Sequence, residues 1–353
     1  MTKRVVVKIG SSSVTRADGG VDHTVLASVA ADVAQLRRSA IDVIVVTSGA
    51  ITAGWAEVGK GAKRPHDASV LQAVSAVGQP LLMDAWRSAF ATHDLSVGQV
   101  LLAPLDFSHR GQYLHARGTI EALETLGVVP IINENDAVAD EEIRFGDNDR
   151  LAALVANLIG ATDLVLLTDT PGLLTADPRL DPTASLIEEV HAIDGELEAL
   201  AGASGSAVGS GGMASKLAAA RIATWSGVRT VIAAARESTP LVRAMDESVV
   251  FGTTFLPRSE RLSARKAWIA FAVASRGRLE VNAGAARALS EDGRSLLRVG
   301  VVAHEGTFVE GDAVDVVSDG AVLAKGLVRL SAEGFADGDE VVVHRDDLVL
   351  FTK

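Results

Sequence analysis

Two hydrophobic periods alternate along the first 255 or so residues. Residues 4–9 form a β-branched run, Val5-Val6-Val7-Lys8-Ile9 after Arg4, which closes on Gly10-Ser11-Ser12-Ser13. Residues 23–38 then place Val25, Leu26, Val29, Val33 and Leu36 at helical spacing. The pattern repeats. It predicts strands at 42–47, 96–102, 128–132, 164–168 and 228–233. It predicts helices at 69–90, 112–126, 150–159 and 214–226, the first interrupted near Gly78-Gln79-Pro80. Strands that are apolar on both faces and separated by helices predict a mostly parallel sheet covered on both sides, an α/β/α sandwich. Ligands of such sheets lie beyond the carboxyl ends of the strands. The polar clusters Gly10-Ser11-Ser12-Ser13, Ser48-Gly49-Ala50, Asn133-Glu134-Asn135-Asp136 and Thr168-Asp169 all fall there.

The pattern changes after Phe255. Residues 257–274 begin polar and basic, with Arg258, Arg261, Arg265 and Lys266, and read as a linker. Short β runs rich in glycine follow at 278–281, 296–302, 313–317, 322–328 and 340–343, predicting a small, mostly β domain. The expected division is 1–256, a linker 257–274, and 275–353.

Composition narrows the class. A chain of 353 residues, 48% hydrophobic and 22% charged, is long enough for two globular domains and too apolar for intrinsic disorder. Its apolar stretches fall short of the ~18 residues that span a bilayer, and Lys8 interrupts any signal-peptide core, so a cytoplasmic location is expected and membrane insertion is not. Without cysteine there are no disulfides, thiolate metal sites or thiol nucleophiles. Net charge is -12, which disfavours a broad nucleic-acid surface. Of 33 basic residues only eight are lysines, so a lysine beside glycine draws notice.

Two such lysines stand out. Lys8 precedes Gly10 by two residues; it is either a snorkelling lysine on an edge strand or a positive charge at the sheet's carboxyl edge. Lys216 follows a Gly/Ser-rich stretch ending in Gly211-Gly212-Met213-Ala214-Ser215, where it meets a predicted helix start. That junction is either a flexible connection or a phosphate site built from backbone N–H groups and the helix dipole. No Gly-x-x-x-x-Gly-Lys-Ser/Thr occurs. Asn133-Glu134-Asn135-Asp136 and Gly146-Asp147-Asn148-Asp149 concentrate short polar side chains. One of them can cap the helix near Arg150; the rest suit an amino acid's ammonium and carboxylate, or Mg²⁺. No histidine pair has zinc-site spacing.

In order, the stretches Val7-Lys8-Ile9-Gly10-Ser11-Ser12, Thr47-Ser48-Gly49-Ala50-Ile51-Thr52-Ala53-Gly54 and Ala76-Val77-Gly78-Gln79 resemble the amino acid kinase family. So do Asn133-Glu134-Asn135-Asp136-Ala137-Val138, Phe145-Gly146-Asp147-Asn148-Asp149, Leu167-Thr168-Asp169-Thr170-Pro171-Gly172-Leu173 and Gly211-Gly212-Met213-Ala214-Ser215-Lys216. The part from Ser275 onward resembles a PUA domain, differing at Glu280-Val281-Asn282-Ala283-Gly284, where an Asp followed by Gly-Ala is usual.

The resemblance implies transfer of the ATP γ-phosphoryl group, with Mg²⁺, to the side-chain carboxylate of L-glutamate, the first step of proline biosynthesis. It implies that Lys8 and Lys216 contact phosphates and that Asp149 orients them. Ser48, Asp136, Asn148 and Asp147 would hold glutamate. Thr168, Asp169, Ser210, Gly211, Gly212, Met213, Ala214, Ser215 and Lys216 would line the nucleotide. It also implies homo-oligomers and feedback inhibition by L-proline. Other acceptors within the family are acetylglutamate, aspartate and uridylate. RNA binding is a reading from another class, since PUA domains bind RNA. Charge opposes it, with 9 basic against 14 acidic residues from Ser275 onward.

Overall fold

Val5, Val6 and Val7 are all fully buried because β1 (Lys3–Ile9) runs through the middle of a sheet, flanked on both sides by parallel strands. The computed structural model describes residues 3–59, 63–138, 148–203, 212–334 and 340–351. Its contacts fall into two units, Met1–Arg261 and Leu262–Lys353. In the first unit the further strands are β2 (Ile41–Val46), β3 (Val97–Leu102), β4 (Val129–Glu134), β5 (Asp163–Thr168), β6 (Glu189–Val190), β7 (Arg229–Ala234) and β8 (Thr253–Phe255). Their order is β3-β4-β2-β1-β5-β7-β8-β6, and every neighbouring pair is parallel except β7 with β8. Lys8 lies opposite Val46 on one side and Leu166 on the other, so it belongs to a central strand rather than an edge.

The helices are α1 (Ser11–Val14), α2 (His23–Arg38), α3 (Ala50–Val58), α4 (Ala68–Ala91), α5 (Pro104–Ser108), α6 (Arg110–Thr125), α7 (Asn148–Ile159), α8 (Gly195–Ala203), α9 (Met213–Trp225) and α10 (Pro240–Met245). Side chains alternate along β1. Val5, Val7 and Ile9 join Leu26, Val29 and Val33 of α2 and Leu82, Trp86 and Phe90 of α4 in one core. Val6 and Lys8 therefore face the other layer, where α7 packs on the strands and on α9. The expected α/β/α sandwich is borne out. No helix among the described residues is long and apolar enough to cross a membrane.

One expectation fails locally. The helix expected to break near Gly78-Gln79-Pro80 runs through as α4, with Pro80 inside it. The glycine is there for contact rather than for breaking. A Cβ on Gly78 would strike the Ala50 carbonyl of α3, and one on Gly54 would strike the Val74 carbonyl of α4. Two glycines thus bring α3 and α4 together at backbone distance, and that packing tolerates the hydrogen bond that Pro80 cannot donate.

The second unit holds α11 (Ala264–Ala267), a π-helical turn at Trp268–Ala272, α12 (Ala283–Ser290), and β9 (Ser275–Val281), β10 (Leu296–Leu297), β11 (Val301–Gly306), β12 (Ala313–Ser318), β13 (Ala321–Val328) and β14 (Val341–Leu350). The strand order is β10-β14-β13-β12-β9-β11. Asn282, the point of difference in the sequence, caps α12: its side chain accepts from the Ala285 N–H at 2.9 Å. The segment read as a linker is not uniform. Residues 258–261 lie in the first unit, whereas Ala267, Trp268, Ile269, Ala270 and Ala272 are buried and pack with β13 and β14 in the second. The polar run hid a short apolar helix behind it.

The first unit's last residues are tied down. The Arg258 N–H donates to the Thr224 carbonyl at 3.1 Å, and its guanidinium lies 4.2 Å from the centre of the Trp225 ring. A chain ending after Arg261 is therefore expected to fold, and to be about 1–2 kcal/mol more stable than one ending after Leu256. Urea denaturation of both fragments measures the difference. Gly78→Ala should cost about 1–3 kcal/mol by forcing α3 and α4 apart. Thermal unfolding of the full chain reads that loss, and an unchanged midpoint would show that the close approach is dispensable.

Candidate active site

The carboxyl ends of β1, β2, β4 and β5 open onto one cleft of 1380 Å³. The chain leaves β1 toward β2 on one side and returns to β5 on the other, so the cleft lies at a switch point of the sheet. Lys8 projects from β1 on the α7 side and Lys216 from the first turns of α9. Asp149, in the first turn of α7, lies between them: Lys8 Nζ is 2.6 Å from its Oδ1 and Lys216 Nζ 3.1 Å from its Oδ2. All three are buried, at 4%, 6% and 0% exposure. Burial pushes the Asp149 carboxyl upward, but the two ammonium charges and their hydrogen bonds outweigh it and hold it below the ordinary carboxylate value. The carboxylate thus holds two ammonium groups at the cleft floor. Above it, α9 begins at Gly212 with no side-chain cap, so its first N–H groups add to that positive end.

The other half of the cleft is lined with hydrogen-bonding groups. Asn148 precedes Asp149, and the ~100° turn between successive helical residues sends the two side chains to different halves. Asn148 Nδ2 donates to the Thr47 carbonyl at 2.8 Å, Ser48 Oγ at 2.8 Å and Asn133 Oδ1 at 2.9 Å. Ser75 Oγ donates to Asp136 Oδ2 at 2.9 Å. Gly49 begins α3 with φ +103, a left-handed conformation, and a Cβ there would lie 2.7 Å from Val14. The turn that presents Ser48 thus requires glycine.

Lys8, Ser48, Asp136, Asn148, Thr168, Asp169, Gly212, Met213 and Lys216 all line this cleft. Asp149 lies beneath it. Ser215 turns back, donating to the Gly212 carbonyl at 2.8 Å, and Ala214 is exposed on α9 without lining the cleft. Asp147, Ser210 and Gly211 lie outside the described residues. Three groups were given no individual role from sequence, although Asn133 and Gln79 stand in stretches quoted for the resemblance. Asn133 ties Asn148 to β4, Ser75 and Gln79 reach the same region from α4, and Lys63, Arg64 and His66 form a basic stretch of the lining. The scarcity of lysine could have drawn attention to Lys63; nothing local marks Ser75. Among the described residues no three carboxylates or histidines converge as a metal site.

A central parallel sheet with a lysine–aspartate–lysine cluster at its switch point defines a class. The chain belongs to the amino acid kinase family, whose model matches residues 3–234, and residues 277–343 match the PUA domain. Glutamate 5-kinase of Citrifermentans bemidjiense is 45% identical over 366 residues, covering 99% of this chain and 97% of that protein. Glutamate 5-kinase of Burkholderia mallei (strain SAVP1) is 45% identical over 368 residues, covering 99% and 98%. The solved UMP kinase of Ureaplasma parvum aligns with a TM-score of 0.50 at 13% identity, covering 72% of this chain and all but 1% of that one (99%), a likeness of fold.

Asp149→Asn would leave two buried ammonium groups against a neutral amide. Loss of about 3–5 kcal/mol is expected, since breaking a buried pair exposes an uncompensated charge. In the unaltered chain the Asp149 carboxyl titrates lower when folded than when unfolded. Its stabilisation is complete above the ordinary carboxylate range, near pH ~4, and is lost as pH falls through the lowered value. Chemical denaturation between neutral and acidic pH should show the unaltered chain's advantage over Asp149→Asn shrinking only on the acid side. A difference independent of pH would contradict the assignment.

Proposed function

We propose that this protein transfers the γ-phosphoryl group of MgATP to the side-chain carboxylate of L-glutamate, giving L-glutamyl 5-phosphate and ADP, the first step toward proline. The observation that carries the reading is the Lys8–Asp149–Lys216 cluster at the meeting point of the two halves of the cleft. The names of the full-length relatives support the same acceptor. The carboxylate needs no general base, being ionised at neutral pH. One of its oxygens forms the new bond to the γ-phosphorus as the bond to the β–γ bridging oxygen breaks, and ADP keeps that electron pair. The obstacle is the approach of two anions. Lys8 and Lys216, with the open N–H groups of α9, answer it by holding positive charge where the phosphoryl oxygens pass. Asp149 keeps both ammonium groups aimed.

Ser48, Asp136, Asn148 and Asp147 are proposed to hold glutamate. Thr168, Asp169, Gly212, Met213 and Lys216 are proposed to line the nucleotide, together with Ser210 and Gly211. L-proline carries the same α-carboxylate and a cationic nitrogen, and is proposed to compete for the glutamate half. A cytoplasmic, homo-oligomeric enzyme is the accompanying expectation.

The direct test is ADP release with MgATP and L-glutamate, with the acyl phosphate trapped as a hydroxamate. N-acetylglutamate, aspartate and UMP are run in parallel, and product from one of these without product from glutamate would overturn the reading. Lys8→Ala and Lys216→Ala should each lower kcat by ~10²–10³ with little change in glutamate KM. Asp136→Ala and Asn148→Ala should chiefly raise glutamate KM and leave that of MgATP near normal.

A further inference from the structure

We propose that Ser75 and Gln79, on one face of α4, are positioning residues that make the acceptor pocket selective for a primary ammonium group. The inference rests on the reaction proposed above and concerns two side chains outside its machinery. Neither lines the cleft, and both are buried, at 4% and 8% exposure. Being four residues apart, they share a helix face. Each grips the end of β4 or the segment leaving it: Ser75 Oγ donates to Asp136 Oδ2 at 2.9 Å, and Gln79 Oε1 accepts from Asn133 Nδ2 at 2.8 Å. The close approach at Gly54 and Gly78 seats this same stretch of α4 against α3, which begins just after Ser48.

A run of contacts fixes the orientation of three amides, and Gln79 closes it. The Glu134 backbone N–H can only donate, so the atom it meets at 2.9 Å is Asn133 Oδ1. Asn133 Nδ2 therefore turns to Gln79, whose Oε1 faces it. Asn133 Oδ1 also accepts from Asn148, so the Asn148 atom facing it is Nδ2. The Thr47 carbonyl, which can only accept, meets the same nitrogen. Asn148 Oδ1 is thereby aimed away from all three. It is buried and has no hydrogen-bond partner among the described residues.

An unpaired buried acceptor is costly until a donor arrives. Asn148 and Asp136 both line the cleft, and together they offer an amide oxygen and a carboxylate. A ligand group with several N–H donors satisfies both. A primary ammonium brings three, whereas ionised carboxylates bring none. Gln79 thus acts at one remove, by holding in place the Asn133 amide on which Asn148 rests, and Ser75 by holding Asp136.

The full-length chain and its Gln79→Met, Ser75→Ala and Gln79→Glu variants are assayed with L-glutamate and with glutarate, which keeps both carboxylates and lacks the amine. Glutarate is read as a substrate, or as a competitive inhibitor where it is not turned over. Gln79→Met and Ser75→Ala are each expected to raise glutamate KM about tenfold, with kcat and MgATP KM within about twofold. The constant for glutarate should stay within about twofold, so the preference for glutamate falls about tenfold. Gln79→Glu keeps an oxygen facing Asn133 and should recover most of that preference. Equal losses toward both acids, or lower thermal stability with the preference intact, would mean a purely structural role and overturn the proposal. Should one loss variant fail to fold, the other carries the same expectation. Absence of glutamate phosphorylation by the unaltered chain would overturn the functional reading itself, and this inference with it; a normal unaltered enzyme with unchanged variants overturns the positioning role alone.

Discussion

Two ammonium groups and one carboxylate, all withdrawn from water, meet at the carboxyl edge of the sheet. Such a cluster is stable only if the charges stay within contact distance, because each pays a desolvation penalty that attraction must offset. That requirement fixes the surrounding architecture. Lys8 must end a strand with neighbours on both sides; Asp149 must open a helix packed beneath that strand; Lys216 must lie one turn into a second helix packed against the first. β1, α7 and α9 meet these conditions, and α7 contacts both of the others. Asp149 in the first turn of α7 also lies at the favourable end of that helix dipole.

The division of labour in the cleft follows from one peptide bond. Asn148 and Asp149 are consecutive, yet a helix rotates them apart, so a single helix start serves two chemistries. The Asp149 side carries the two lysines, the cations that the proposed transfer needs beside the phosphoryl oxygens. The Asn148 side carries the hydrogen bonds to Thr47, Ser48 and Asn133, in the half proposed for the acceptor. A transfer between two anions needs both in register. Placing them on adjacent residues of a rigid helix ties their separation to backbone geometry rather than to loop conformation.

The central strands were legible because a strand buried on both faces is apolar almost throughout, and Val5-Val6-Val7 or Leu164-Val165-Leu166-Leu167 leave little choice, whereas β6 and β8, of two and three residues, are too short to carry a pattern. The cleft's principal side chains were legible because they stand next to glycine or in dense polar clusters directly after those strands. Asp149's bridging position could be suspected only through resemblance, since nothing in its neighbours reveals that Lys8, far earlier, and Lys216, far later, converge on it. Local rules misread Gly78-Gln79-Pro80 as a break: the helix survives through its packing on α3, which no local pattern encodes. The same blindness applies to Ser75 and Gln79. Ser75 is an ordinary polar position of a helix, Gln79 was marked only by resemblance, and their partners Asp136 and Asn133 lie more than fifty residues away. The basic run at 257–274 misled in another way, since its composition was judged as a whole although Trp268 and Ile269 inside it are core residues of the second unit.

Stability alone does not account for the cluster. Replacing a buried ionic group by apolar side chains of similar size is often neutral or favourable, and the sheet around Lys8 supplies Val6, Val46 and Leu166 as an apolar setting ready for such a residue. What apolar packing could not supply is charge held at the point where ligands of parallel sheets bind. Asp149 holds both lysines there, 2.6 and 3.1 Å from its two oxygens, so their burial and their place in the cleft lining depend on one carboxylate. Charges buried at such an edge favour function over structural support as the reason for the arrangement, and the proposed phosphoryl transfer rests on that ground.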